Sequence, residues 1–111
     1  APRRKKVSGN LVNHYQPKAS VHSIKTSEIG NLIQDHLEAK SVLLLLSDIN
    51  IDNIQTYAMP RDPYKYGQIL YSTLRLMDDR HFEKIIIELP PEKSDWYAIH
   101  DRIKKASFKK L

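Results

Sequence analysis

The sequence predicts an α/β domain: a three-layer sandwich of about four mostly parallel strands and three helices, preceded by an extended linker. Three observations predict it. Residues 42–46 and 85–87 are unbroken apolar runs, the pattern of strands covered on both faces. Segments with apolar residues at helical spacing alternate with these runs. The joints between them are short, which implies right-handed crossovers and helices on both faces of the sheet, a Rossmann-like arrangement.

Residues 1 to about 18 lack periodicity and contain Pro2, Gly9 and Pro17, so they read as linker, leaving residues 19–111 as the α/β body. Residues 20–24, with Val21, His22 and Ile24, form a first short strand. Thr26 or Ser27 is positioned to cap the following helix, and Glu28 suits its positive end. In that helix Ile29, Leu32, Ile33, His36 and Leu37 fall on one stripe, predicted to be buried. Residues 42–46 make the second strand. A connection rich in Asp and Asn leads to a third at residues 55–59, stopped by Pro60.

Asp62 then caps a helix with Pro63 at its first position, where the missing amide proton costs nothing. Tyr66, Ile69, Leu70, Thr73, Leu74 and Met77 hold the helical rhythm for three turns. Residues 85–87 form the fourth strand, ended by Pro90 and Pro91. Ser94 or Asp95 starts a last helix with Trp96, Ile99, Ile103 and Ala106 inward and a basic outer face.

Composition narrows the chemistry. The 111 residues suffice for one domain with a real core. The absence of cysteine excludes disulfides, thiolate zinc sites and cysteine nucleophiles and fits a reducing, cytoplasmic setting. The longest apolar run, residues 42–46, is far short of a membrane span. The basic start of the chain lacks the apolar stretch of a secretory signal. With 18 Lys and Arg against 13 acids the net charge is +5, a balance that favours anionic partners such as RNA or a nucleotide. The excess sits at the two ends, in Arg3, Arg4, Lys5 and Lys6 and in Lys104, Lys105, Lys109 and Lys110.

Candidate sites are few. Gly9, Gly30 and Gly67 are the only glycines, so no glycine-rich phosphate cradle can be written. No spacing fixes a Ser/His/Asp set. The five histidines, at positions 14, 22, 36, 81 and 100, share no metal-ligand spacing, and no metal site is expected. His36 is read as a core residue, and Asp78 and Asp79 as a solvated helix terminus, since adjacent helical residues point apart. Tyr57, Tyr64, Tyr66, Tyr71, Trp96 and Tyr97 suggest a base-stacking platform, but several fall on core positions. Arg102, Lys105 and Lys109, on the outer face of the last helix, are candidate phosphate contacts. His14 and Tyr15 are different: two ring side chains sit in a linker two residues before Pro17, and both can donate hydrogen bonds to phosphate or carboxylate oxygens.

These residues also resemble a known family. Val7-Ser8-Gly9-x-Leu11-x-x-His14-Tyr15-x-Pro17 is similar to the interdomain linker of the long-form threonylcarbamoyl-AMP synthases. Met59-Pro60-x-Asp62-Pro63-x-x-Tyr66 and Leu70-Tyr71-x-x-Leu74-Arg75-x-Met77-Asp78 resemble the centre of that family's C-terminal domain. Ile86-Ile87-x-x-Pro90 and Trp96-x-Ala98-Ile99-x-Asp101-Arg102-Ile103-x-x-Ala106 resemble its end. The likeness is collinear and weakens only between Lys25 and Asn53. Val7-Ser8-Gly9 stands where many members have Ser-Pro-Gly, and Gln16 where alanine is common.

The resemblance implies an accessory part of a tRNA-modification enzyme that combines L-threonine, bicarbonate and ATP into threonylcarbamoyl-AMP. Catalysis would belong to a YrdC-like N-terminal domain of the same polypeptide, which this chain does not contain. ATP and Mg would serve the full-length enzyme, with no cofactor held by these 111 residues. The linker would form a lid over the nucleotide, with Tyr15 contacting ATP and His14 and the Ser8–Gly9 turn shaping the lid. The alternative is a basic module that binds tRNA or a protein partner and has no catalytic role.

Overall fold

The computed structural model describes residues 16–34, 40–49, 51 and 54–108. Strand β1 (Ser20–Ile24) leads through a 3-10 turn (Thr26–Glu28) into helix α1 (Ile29–Gln34). Strands β2 (Ser41–Leu45) and β3 (Gln55–Ala58) follow, then helix α2 (Pro63–Asp79) and strand β4 (Lys84–Glu88). A second 3-10 turn (Ser94–Trp96) opens onto helix α3 (Tyr97–Phe108). The four strands form one parallel sheet in the order β1-β4-β2-β3.

Alternation along the strands sends successive side chains to opposite faces, and each face has its own core. On one, Val21, Val42, Leu44, Ile85 and Ile87 meet Tyr66, Leu70, Leu74 and Met77 of α2 and Ile99, Ile103 and Ala106 of α3. On the other, Leu43, Leu45 and Ile86 meet Ile29 of α1. This is the expected three-layer α/β architecture. The central strands β2 and β4 account for the unbroken apolar runs: Leu43 and Leu44 are 0% and 1% exposed, and Ile85 and Ile87 both 0%. Burying each such side chain stabilises the fold by roughly 1.5–3 kcal/mol.

Helix α2 starts as its sequence dictates. The Asp62 carboxylate accepts the Lys65 amide at 2.9 Å, and Pro63 occupies the first turn. It ends in a Schellman motif: the His81 amide donates to the Asp78 carbonyl at 2.9 Å and the Phe82 amide to Met77 at 3.1 Å. His81 takes the left-handed position, with φ of 65°, which glycine usually fills. Its place is set by the backbone reversal at the helix end.

Three expectations are corrected. Neither Thr26 nor Ser27 caps the first helix. The cap is Lys25, whose amide donates to Glu28 Oε1 at 3.2 Å, while the Thr26 hydroxyl turns to Glu88. The last helix does not begin at Ser94 or Asp95; those residues form the 3-10 turn, capped by Lys93, and the α-helix starts at Tyr97. Asp78 is not a solvated helix end, for reasons given below. The buried stripe expected of α1 is described at Ile29, which is 2% exposed; His36 and Leu37 lie outside the described residues.

Candidate functional site

The lid candidates Ser8, Gly9, His14 and Tyr15 lie outside the described residues, as does Lys109. The structure does show how the chain immediately after Tyr15 is moored. Asp78, near the end of α2, accepts the Lys18 amide at 2.9 Å with one carboxylate oxygen and the Ala19 amide at 3.1 Å with the other. Gln16 donates from Nε2 to the Lys105 carbonyl of α3 at 2.9 Å. Pro17 and Ala19 are buried. An acid at a helix carboxyl end opposes the dipole, and here the two backbone amides offset that cost. Hydrogen bonds to a charged acceptor contribute about 1.5–3 kcal/mol, so residues 16–19 form a fixed root for whatever precedes them.

A second feature was missed in the sequence. Glu88, at the carboxyl end of β4, is 2% exposed and receives four hydrogen bonds. Leu46 and Ser47 donate their amides to Oε1 at 2.6 and 2.8 Å. The Thr26 and Ser47 hydroxyls donate to Oε2 at 2.6 and 2.5 Å. Burial alone would raise its pKa, but the bonds from Ser47, Thr26 and Leu46 outweigh burial and hold it below the usual carboxylate range. Glu88 thus ties together the segments after β1 and β2 at the carboxyl edge of the sheet. Its donors come from positions far away in sequence, so no local spacing announces it; the one signal is an acid directly after Ile85-Ile86-Ile87.

Above Glu88 opens a cleft of about 490 Å³, lined also by Lys25, Arg61 and Trp96. Arg61 is oriented there by its Nε, which donates to the Leu46 carbonyl at 2.8 Å. Behind it Tyr66 meets Trp96 edge-on, with centroids 5.5 Å apart. The Tyr66 hydroxyl is buried without a hydrogen-bond partner, and burial, then the charge of Glu88, drives its pKa up.

The aromatic residues divide. Tyr66 and Trp96 belong to the core, Tyr57 and Tyr71 are half-buried, and Tyr64 and Tyr97 are exposed. Tyr64 and Tyr71 join Arg75 and Arg102 along a groove of about 710 Å³ between α2 and α3. Gly67 permits the close approach of these helices: a Cβ there would stand 3.0 Å from Arg102 Nη1 and 3.2 Å from Ile99 Cδ1. Burial raises the Tyr71 pKa, with Arg102 opposing and Asp101 adding to the rise. Lys105 pairs with Asp101 at 3.2 Å, so of the two described phosphate candidates only Arg102 lies in this groove. No three potential metal ligands cluster among the described residues, and no described helix is long and apolar enough to cross a membrane.

Two solved structures share the fold. The crystal structure of P. abyssi Sua5 complexed with L-threonine has a TM-score of 0.67 at 24% identity, over 86% of this chain and 30% of that one. A P. abyssi Sua5 variant, with an adjacent histidine and tyrosine both replaced by alanine, has a TM-score of 0.66 at 20% identity, over 83% of this chain and 28% of that one. The chain therefore spans less than a third of either relative. No curated protein matches it. The family model described as threonylcarbamoyl-AMP synthase, C-terminal domain, matches residues 1–107, taking in both the His14–Tyr15 segment and nearly all of the body. The chain belongs to the threonylcarbamoyl-AMP synthase C-terminal domain family.

Proposed function

We propose that residues 1–18 are the lid-bearing linker, and residues 19–111 the accessory domain, of an enzyme that makes threonylcarbamoyl-AMP from L-threonine, bicarbonate and ATP for tRNA modification. The observation that carries this reading is the family match across residues 1–107, which treats linker and body as one unit. The mooring of residues 16–19 by Asp78 and Lys105 supports it, because a lid needs a fixed root from which to close. Ser8, Gly9, His14 and Tyr15 are assigned to the lid, with the two rings donating to nucleotide oxygens. That a histidine–tyrosine pair was replaced in the P. abyssi protein directs attention to the same pair here. Closure would exclude water from the reacting phosphates and strengthen every charge contact inside. ATP and Mg²⁺ belong, on this reading, to the YrdC-like catalytic domain and not to this chain.

The test is to supply the 111-residue chain with ATP, L-threonine and bicarbonate. Folded chain and no threonylcarbamoyl-AMP is the expected result; sustained turnover overturns the accessory role. A second reading, a tRNA-binding surface, is favoured by one observation: Arg75, Arg102, Tyr64 and Tyr71 share the α2–α3 groove, pairing cations with stacking surfaces. It predicts tRNA binding that weakens steeply with salt and is reduced by Arg102→Ala. Absence of binding at low salt contradicts it.

A further inference from the structure

The cleft over Glu88 is at the other end of the sheet from the linker root. Residues 16–19 precede β1, whereas Lys25 and Thr26 follow it, and five strand residues span about 16 Å. At the cleft the chain leaves adjacent strands in opposite directions. From β1 it passes to α1 on one face, and from β4 to α3 on the other. Such divergence opens a crevice at the carboxyl ends of parallel strands, where α/β folds bind ligands.

We propose that this cleft binds a small organic monocarboxylate, with Arg61 and Lys25 receiving the carboxylate and Leu89, Pro90, Pro91 and Trp96 covering an apolar body. The Arg61 guanidinium is pre-oriented through Nε, leaving both Nη groups to meet a planar carboxylate side by side. Among the described residues neither Arg61 nor Lys25 forms an ion pair. Glu88 does not compete for them, because its oxygens are occupied by four donors. The cations select the ligand: Lys25 and Arg61 line the cleft, and one guanidinium fork with one ammonium suits a single planar carboxylate rather than the several charges of a polyphosphate. The volume of about 490 Å³ falls within the roughly 300–1,000 Å³ of small-molecule sites. This inference is independent of the lid and needs no catalytic domain for its test.

The test is an amide NMR titration of the ¹⁵N-labelled 111-residue chain at constant ionic strength with three probes. Benzoate carries both charge and body, benzamide the body alone, and inorganic phosphate the charge alone. Saturable benzoate shifts are expected around Lys25, Ser47, Arg61 and Trp96, with benzamide at least about tenfold weaker and phosphate producing no saturable shift there. Arg61→Ala should weaken benzoate about tenfold or more, and Lys25→Ala should weaken it too. Arg102→Ala, which removes the same charge from a different surface, should leave it unchanged. The proposal is overturned if benzoate does not saturate, if benzamide or phosphate binds equally well, or if Arg61→Ala and Arg102→Ala have equal effects.

Discussion

Glu88 is where single-residue chemistry matters most to this fold. A buried carboxylate normally destabilises, but this one is fully supplied with donors from Thr26, Leu46 and Ser47. Removing it strands those donors at the sheet edge, so Glu88→Ala should cost about 3–5 kcal/mol in urea unfolding. Its folded pKa is depressed, so its contribution is complete above the ordinary carboxylate value of about 4.3 and disappears as pH falls through the lower folded value. Unfolding midpoints measured from pH 7 down to pH 3 should therefore fall below about pH 4 in the parent chain. They should fall less steeply in Glu88→Gln, and equal slopes would refute the assignment. Glu88 was illegible in the sequence because its partners lie 41 to 62 positions away. Asp78 left a faint trace, as an acid placed against the dipole of its own helix.

At the level of elements, the apolar patterns decided most of the architecture. The continuous runs in β2 and β4 demand two covered faces, and the Asp62–Pro63 start fixes α2. The helix starts at Lys25 and Lys93 were not legible, since each opens with a 3-10 turn and neither lysine offers a side-chain acceptor of its own. The turn at His81 was hidden for a related reason: no glycine marks its left-handed position. The coupling of α2 to the linker root was hidden too, because the contact spans 60 positions. It yields a local prediction. Asp78→Ala should speed hydrogen exchange at the Lys18 and Ala19 amides by at least about tenfold, while amides in the middle of β4 keep their protection. Unchanged exchange at Lys18 and Ala19 would show that Asp78 does not hold the root.

For the whole molecule, the parallel sheet separates two structurally distinct ends. Its amino edge roots the linker between α2 and α3, and its carboxyl edge carries the cleft over Glu88. The proposed role of the body, to position a segment that acts elsewhere, rests on the mooring of residues 16–19 by Asp78 and Lys105. The His14–Tyr15 pair stood out in the sequence because ordinary packing does not call for it there, whereas the ends of the sheet became distinct only once the strand order was known. The decisive measurement is the rate of threonylcarbamoyl-AMP formation by the full-length polypeptide carrying Tyr15→Ala. A lid residue that meets the nucleotide predicts a rate at least about tenfold lower, with the unfolding midpoint unchanged. A parental rate at subsaturating ATP would contradict the lid.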